Sequence, residues 1–424
     1  MMILYKKGKE DVSNFRFWHI LFVFFNWYRM ISVGMLQVWD FWIYNFSICS
    51  NKQPICFRWA MPLLFVGGLL FCTGCQTSSE RLADPVGYAQ WLRMKKTDQY
   101  TLVEVVDAWN PTCLLQRYIL VDKDQEVPQD CPEGILIRTP LERVVMTNAV
   151  HAAWLADMGG SHKIVGMCDT EYLHHPLLRK LVAEGTIQNL GSSLHPSIET
   201  WISLRPDGAF VSPFENAGHG ALSSIQTHSI ECLDYMETSA LGRAEWMRFY
   251  GELFGLGDQA DSLFQQVVQR YNTLCNLTKN VKERPTLFCD LQQGNAWYVP
   301  GGNSYLGQIF KDAGADYLFV EYAESGSVPL SFEQVFHVAR DADLWLVKYA
   351  STEDYTYPKM VADDPLYQHF KAWKNQRIFH CNTLFQPFFE EVPFHPDLLL
   401  ENLIHLFHPE LLPETNHSYY TPLP

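Results

Sequence analysis

The chain of 424 residues lacks the short signatures of the common enzyme classes. It has no G-x-S-x-G elbow, no P-loop, and no G-x-G-x-x-G after a strand. Polar stretches such as GMCDTEY and GNSY offer no nucleophile and base at a motif spacing, which reads as a protein that is not an enzyme. Positive charge is scarce as well: 32 Lys and Arg face 47 Asp and Glu, for a net charge of −15. Residues 1–74 hold seven basic and three acidic side chains, +4, so the remainder carries −19. A chain that acidic excludes nucleic acid as a partner, which calls for a basic face. Paired cysteines are also missing. After Cys75 come Cys113, Cys131, Cys168, Cys232, Cys275, Cys289 and Cys381, scattered and odd in number. That is neither a zinc-ligand spacing nor a disulfide framework. It leaves room for one bridge, Cys113 to Cys131, and the rest read as small buried hydrophobes.

Material for a core is ample: 47% hydrophobic and 19% charged residues. The length suggests two or three domain-sized units. The first 75 residues differ from the rest of the chain. LFVFFNWYRMISVGMLQVW is apolar and aromatic, and MPLLFVGGLLFCTGCQTSSE comes after a patch containing Lys52 and Arg58. Its apolar run of about 14 residues has the size of a secretory signal core and is short for a bilayer span. LFCTGC resembles a bacterial lipoprotein cleavage box, with Gly74 before the cut and Cys75 as the lipidated residue, although Cys72 stands where leucine is usual. Residues 1–74 are therefore read as a signal or membrane-directing segment, with 1–50 either upstream of the true start or a genuine membrane segment. Residues 75–93 read as a lipidated tether.

From about Tyr100 strands and helices alternate. YTLVEVV and LQRYILV read as an antiparallel hairpin at the edge of the first sheet. RVVMTN, KIVGMCD, GAFVSP and SIECLDYM read as strands; AVHAAWLADMG and HPLLRKLVAEG read as helices closed by glycine. That alternation predicts a parallel sheet with helices on both faces. Trp246, Phe249, Tyr250 and Leu253 then fall at helical spacing, and a longer amphipathic stretch begins at Asp258. The alternation restarts at PTLFCDLQ and runs through GGNSYLGQIFKDAGADYLF, DLWLVKY and RIFHCNT to HPDLLLENLIHLFHP. Two correspondences mark a duplication. SIETWISLRPD at Ser197–Asp207 returns as SFEQVFHVARD at Ser331–Asp341, with an aspartate eight residues after each glutamate. Asn148 precedes Gly159, and Asn303 precedes Gly314, by eleven residues each. The expected architecture is α/β: two Rossmann-like lobes with parallel central sheets, joined by one long helix, with a ligand cleft between them. The boundaries are 94–238 for the first lobe with its added hairpin, 239–283 for the connecting helices, 284–412 for the second lobe and 413–424 for a tail.

RVVMTNAVHAAWLADMGGSHKIVGMCD, PSIETWISLRPDGAF, YVPGGNSYLGQIFKDAGADYLF and LSFEQVFHVARDADLWL, in that order, resemble the periplasmic substrate-binding proteins of ABC importers for iron complexes and cobalamin. The similarity spans about Thr139 to Leu406; the hairpin Met94–Arg138 lies outside the usual family core. The resemblance implies a lipoprotein held in the periplasm that captures an iron-siderophore, haem or cobalamin-type chelate. It implies no permanently bound cofactor, a monomer, and an ABC permease dimer with its ATPase subunits as partner. It also gives the twin glutamates a role, because one exposed glutamate per lobe docks on permease arginines. By position these are Glu199 and Glu333. A first-turn glutamate is also simply favoured by the helix dipole, with Ser197 and Ser331 as caps.

Ligands of open α/β sheets sit beyond the carboxyl ends of the strands. The ligand-binding candidates are therefore Asn148, His151, Asp169, Tyr172, Phe214, Glu215, Tyr235 and Glu237 in the first lobe. In the second they are Trp297, Tyr298, Asn303, Tyr305, Lys348 and Tyr349. Their aromatic character suits a large, partly apolar ligand. Few of them are basic, chiefly Lys348 and, nearby, Arg243, which tilts the reading toward a weakly charged chelate. His151, His174, His175, Glu171 and Glu215 form the competing bare-metal site, and His151 is the first axial ligand to consider for a bound complex. Against a metal site, no helix carries His-x-x-x-His and no loop is His-rich. A sensory or adhesive lipoprotein of the same fold is the other alternative.

Overall fold

The computed structural model describes residues 82–215 and 227–424. The signal segment, Cys75 and the start of the tether lie outside the described residues. The first sheet contains β1 (Asp84–Pro85), β2 (Leu92–Lys96), β3 (Thr101–Val106), β4 (Leu114–Asp122) and β5 (Ile135–Thr139), in that order. Neighbours are antiparallel except β4 and β5. The hairpin expected at the edge of the first parallel sheet thus builds a sheet of its own. The reason is visible in β3, whose six residues TLVEVV are all buried. A strand buried on both faces needs cover on both sides, which an edge position does not give.

One phenol of this sheet reaches the edge of the first lobe's parallel sheet. Tyr118, fully buried on β4, donates its hydroxyl to the Ser229 carbonyl and accepts from the Glu231 N–H, both at 2.9 Å. The hydroxyl occupies the outer side of strand β10 (His228–Glu231), where a ladder partner would otherwise stand.

The first lobe runs β6 (Val144–Met146), α1 (Ala149–Asp157), β7 (Ile164–Met167), α2 (Pro176–Ala183), β8 (Gln188–Asn189), α3 (Ile198–Leu204), β9 (Gly208–Val211) and β10. Its sheet is parallel throughout, in the order β10-β9-β6-β7-β8. Gly159 and Gly185 close α1 and α2 at φ of 80° and 75°, the left-handed region where a side chain is strained. Helices α4 (Ala240–Phe254) and α5 (Gly257–Thr278) come next. Helix α5 has 22 residues, so it spans roughly 33 Å. Phe264, Val267, Tyr271 and Leu274 make its buried stripe, the face the periodicity marked out.

The second lobe contains β11 (Thr286–Cys289), β12 (Gln292–Gln293), β13 (Ala296–Pro300), α6 (Tyr305–Asp312), β14 (Asp316–Tyr317), β15 (Ser327–Leu330), α7 (Phe332–Ala339) and β16 (Leu344–Tyr349). It continues with α8 (Tyr357–Asp363), α9 (Lys371–Lys374), β17 (Ile378–Asn382), α10 (Phe388–Glu391), α11 (Pro396–Phe407) and β18 (Thr421–Pro422). The main sheet orders as β14-β11-β16-β17-β18, parallel except for β18. Strands β12, β13 and β15 make a small antiparallel sheet.

The duplication holds at the level of topology, since β10-β9-β6-β7 and β17-β16-β11-β14 have the same connectivity. Side chains confirm it and shift its register. Asp207 accepts the N–H groups of Glu142 at 2.8 Å and Arg143 at 3.0 Å, pinning the start of β6. Asp343 does the same for the Thr286 N–H at the start of β11, at 3.0 Å. The counterpart of Asp207 is therefore Asp343 and not Asp341, which is exposed beside Arg340. Helix α7 is one residue longer than α3 and the turn after it is one residue longer too, so the spacing after the glutamate is not preserved. The caps differ too. Ser331 forms a reciprocal capping box with Gln334, whereas the Ser197 hydroxyl meets the Thr200 hydroxyl at 2.8 Å and caps no backbone group. No disulfide forms among the described residues; Cys113 and Cys131 are both free thiols.

Candidate functional site

In the first lobe the carboxyl end of β6 feeds α1. There Asn148 Nδ2 donates to Ser212 Oγ across the sheet at 3.1 Å. The second lobe ties the equivalent strand ends with charge: Lys348 Nζ lies 2.8 Å from Asp290 Oδ1. Burial works against the Lys348 charge, but Asp290 overrides it and holds the ammonium well above its usual pKa. Lys348 is thus already neutralised.

His151 is only 2% exposed and forms part of a buried polar centre. Its Nε2 lies 2.8 Å from Asp234 Oδ1, which also accepts the Tyr250 hydroxyl at 3.0 Å. Arg243 Nε approaches the other oxygen at 3.3 Å. Burial alone would raise the Asp234 pKa; His151, Arg243 and Tyr250 reverse this and hold it at about 2. The Arg243 guanidinium also caps the Tyr305 ring of the second lobe at 5.1 Å. Enclosed by these partners, His151 belongs to the core and is not presented to a ligand.

Other candidates divide in the same way. Glu237 is buried, accepting from the N–H groups of Gln90 (2.8 Å) and Trp91 (3.0 Å) and from Trp246 Nε1 (2.9 Å). Trp297 is fully buried and donates to the Cys289 carbonyl at 2.9 Å. Tyr235 is half-buried and hydrogen-bonds the Pro213 carbonyl. Tyr349 meets His380 Nδ1 at 2.7 Å, and Tyr298 is half-buried on β13. Asp169 takes a left-handed φ of 49° and accepts the Ser193 N–H at 3.1 Å. Asn303 and Glu215 are exposed. His174, His175, Glu171 and Glu215 do not gather: no cluster of three metal-binding side chains exists among the described residues.

Aromatic side chains also stand open at the strand ends. Tyr172 and Phe214, after β7 and β9, are 57% and 59% exposed. Phe385 and Phe389, after β17, are each 60% exposed. The second pair was not among the sequence candidates, although its signal is plain: LFQPFFEE comes directly after a parallel strand. Side-chain-to-backbone contacts join the segments next to Tyr172 and to Phe385 and Phe389. The Thr383 carbonyl meets His174 Nε2 at 3.0 Å, two residues from Phe385 on one side and from Tyr172 on the other. Glu390, next to Phe389, accepts the N–H groups of His174 and His175. Phe394 completes the seam by packing on His151, Trp154 and Tyr250 at 6.0–6.1 Å between ring centroids. Contacts across the lobes are continuous enough that the described residues form one compact unit.

A cavity of about 670 Å³ lies elsewhere, at the opposite end of the second sheet where β11 and β14 begin. Arg284, Lys279, Lys311 and Asp316 are on its wall.

The description "Periplasmic binding protein" matches residues 144–383, more than half of the chain and the span of both parallel sheets. The chain belongs to that family. It is 27% identical over 312 residues to an uncharacterized lipoprotein of Methanocaldococcus jannaschii, covering 70% of this chain and 73% of that one. A periplasmic heme binding protein from Pseudomonas aeruginosa has the same fold, with a TM-score of 0.52 at 17% identity, over 67% of this chain and 98% of that one. So does a possible iron-binding (periplasmic solute-binding) protein from Staphylococcus epidermidis, with a TM-score of 0.51 at 16% identity, over 64% and 100%. Family membership makes the chain a solute-binding protein, and the added β1–β5 sheet lies before the matched span.

Proposed function

We propose that the chain is the substrate-binding component of an ABC importer that captures an iron or cobalt chelate outside the cytoplasm and delivers it to a permease unchanged. The observation that carries this reading is the set of exposed aromatics, Tyr172, Phe214, Phe385 and Phe389, on strand-end loops of both lobes. Aromatic faces suit a broad, partly apolar ligand, and neighbouring loops of two lobes suit one large enough to touch both. Charge narrows the class. Lys348 on β16 is paired with Asp290 and Arg243 on α4 with Asp234, so neither charge is free to attract an anionic catecholate complex. A corrinoid or another bulky, weakly charged chelate fits better.

The test is an absorption spectrum of the protein after exposure to cobalamin, haem and ferric chelates, with titration of whichever is retained. The double variant F385A/F389A is expected to weaken retention at least tenfold, roughly the loss of one well-packed aromatic contact or more. Unchanged affinity in a folded double variant refutes the aromatic site.

Anchoring through a lipid on Cys75 is part of the same reading. A Cys75→Ala chain should fractionate as free protein after osmotic release. Retention in the membrane fraction would instead make the upstream apolar segment the anchor. Among the described residues no helix is long and apolar enough to cross a membrane.

A further inference from the structure

Helix α10 is only four residues long, yet it makes the principal polar contact from the second lobe to the first. Its Glu390 is 5% exposed and spends both carboxylate oxygens on the other lobe, one on the His174 N–H and one on the His175 N–H at 2.9 Å. Those N–H groups belong to the turn before α2, which nothing else in the second lobe fixes through a charged group. A buried carboxylate that accepts two N–H groups makes strong, charge-assisted bonds.

The same face carries an opposing cost. Helix α1, against which α10 packs, has polar atoms at three-residue steps that find no partner: Asn148 Oδ1, His151 Nδ1 and Trp154 Nε1. His151 and Trp154 are 2% and 3% exposed, and Phe394 of the second lobe lies against both rings. Polar groups shut away without a partner favour any arrangement that returns them to water. The seam therefore combines a two-bond clasp that closes it with a polar stripe that favours opening it.

We propose that Glu390 is a positioning residue, a latch that holds the two lobes closed against the unsatisfied face of α1. Release of the latch exposes the stripe and parts the loops that bear Tyr172, Phe385 and Phe389. A ligand bridging both lobes then shifts the population by its differential affinity for the closed form. The latch stands on the lobe contacts alone and holds whatever the cargo proves to be.

The experiment is a distance measurement between spin labels at His162 and Lys374, exposed sites one in each lobe, on the full chain with Cys49, Cys56, Cys72, Cys75, Cys113, Cys131 and Cys275 changed to serine. Wild type should give a dominant short distance. Glu390→Ala should raise the open-to-closed ratio about tenfold or more, the effect of losing charge-assisted bonds. Glu390→Gln, which keeps one acceptor oxygen, should fall between and serves if the alanine variant does not fold. An unchanged distance distribution in both Glu390 variants overturns the latch. Neither result bears on whether a chelate binds, because no ligand is present in the measurement.

Discussion

Charge reversal at both Glu199 and Glu333 is expected to abolish uptake of the cargo while leaving its affinity for the isolated protein unchanged. Both glutamates are exposed in the first turns of α3 and α7. Those helices lead into β9 and β16, which occupy the same place in the two sheets. Neither glutamate takes part in an ion pair among the described residues. Glu333 is held below the usual carboxylate pKa by its own N–H and the Ser331 side chain, so it stays charged. Exposed charges of this sort contribute little to stability; they orient partners and set encounter rates. Each single reversal should reduce uptake, and the double variant should fall to background. A double variant that loses ligand affinity places the residues at the cargo site, and one that transports normally removes them from any docking surface. Uptake by whole cells beside equilibrium titration of purified protein separates the outcomes.

Removing the Asp234 carboxylate is expected to cost about 3–5 kcal/mol of folding stability, the range for breaking a buried charged network from one side. Asp234→Ala leaves His151, Arg243 and Tyr250 without the acceptor they share. Asp234→Asn, which keeps the shape and some hydrogen bonding, should lose less. Acid gives the same information without mutation. The folded pKa of about 2 lies below the ordinary 3.8, so the carboxylate stabilises the fold fully above about pH 4. That contribution, roughly 2 kcal/mol, drains away as pH falls from about 4 to about 2. Urea unfolding at pH 7 and across the acid range measures both effects. A wild-type midpoint for Asp234→Ala, or identical acid sensitivity in the two proteins, contradicts the network.

Much of this was legible in the sequence, and the gaps have physical causes. Parallel strands and their helices were readable because burial on both faces makes long apolar runs, and because Gly159, Gly185 and Gly314 all take left-handed turns where helices stop. The β1–β5 sheet was misplaced because a local pattern such as TLVEVV reveals burial but not which neighbour supplies it. The separate sheet β12-β13-β15 and the C-terminal strand β18 were missed because QQ and TP carry no apolar run and prolines stand in AWYVP and SVPL. At the site, position along the chain was a fair guide and exposure was not. His151 and Glu237 follow the ends of β6 and β10, yet each faces inward to partners supplied by distant residues, and Trp297 lies within β13 of the small antiparallel sheet. Phe385 and Phe389 follow the end of β17, and remain open.

The return of the chain from β17 through Phe394 to α11 has a consequence for how the protein is made. The aromatic box of His151, Trp154 and Tyr250 is complete only when Phe394 arrives, nearly 250 residues after the first of them. A chain made amino end first cannot close its leading half until its trailing end has been added. Until then that half presents an unfilled apolar face.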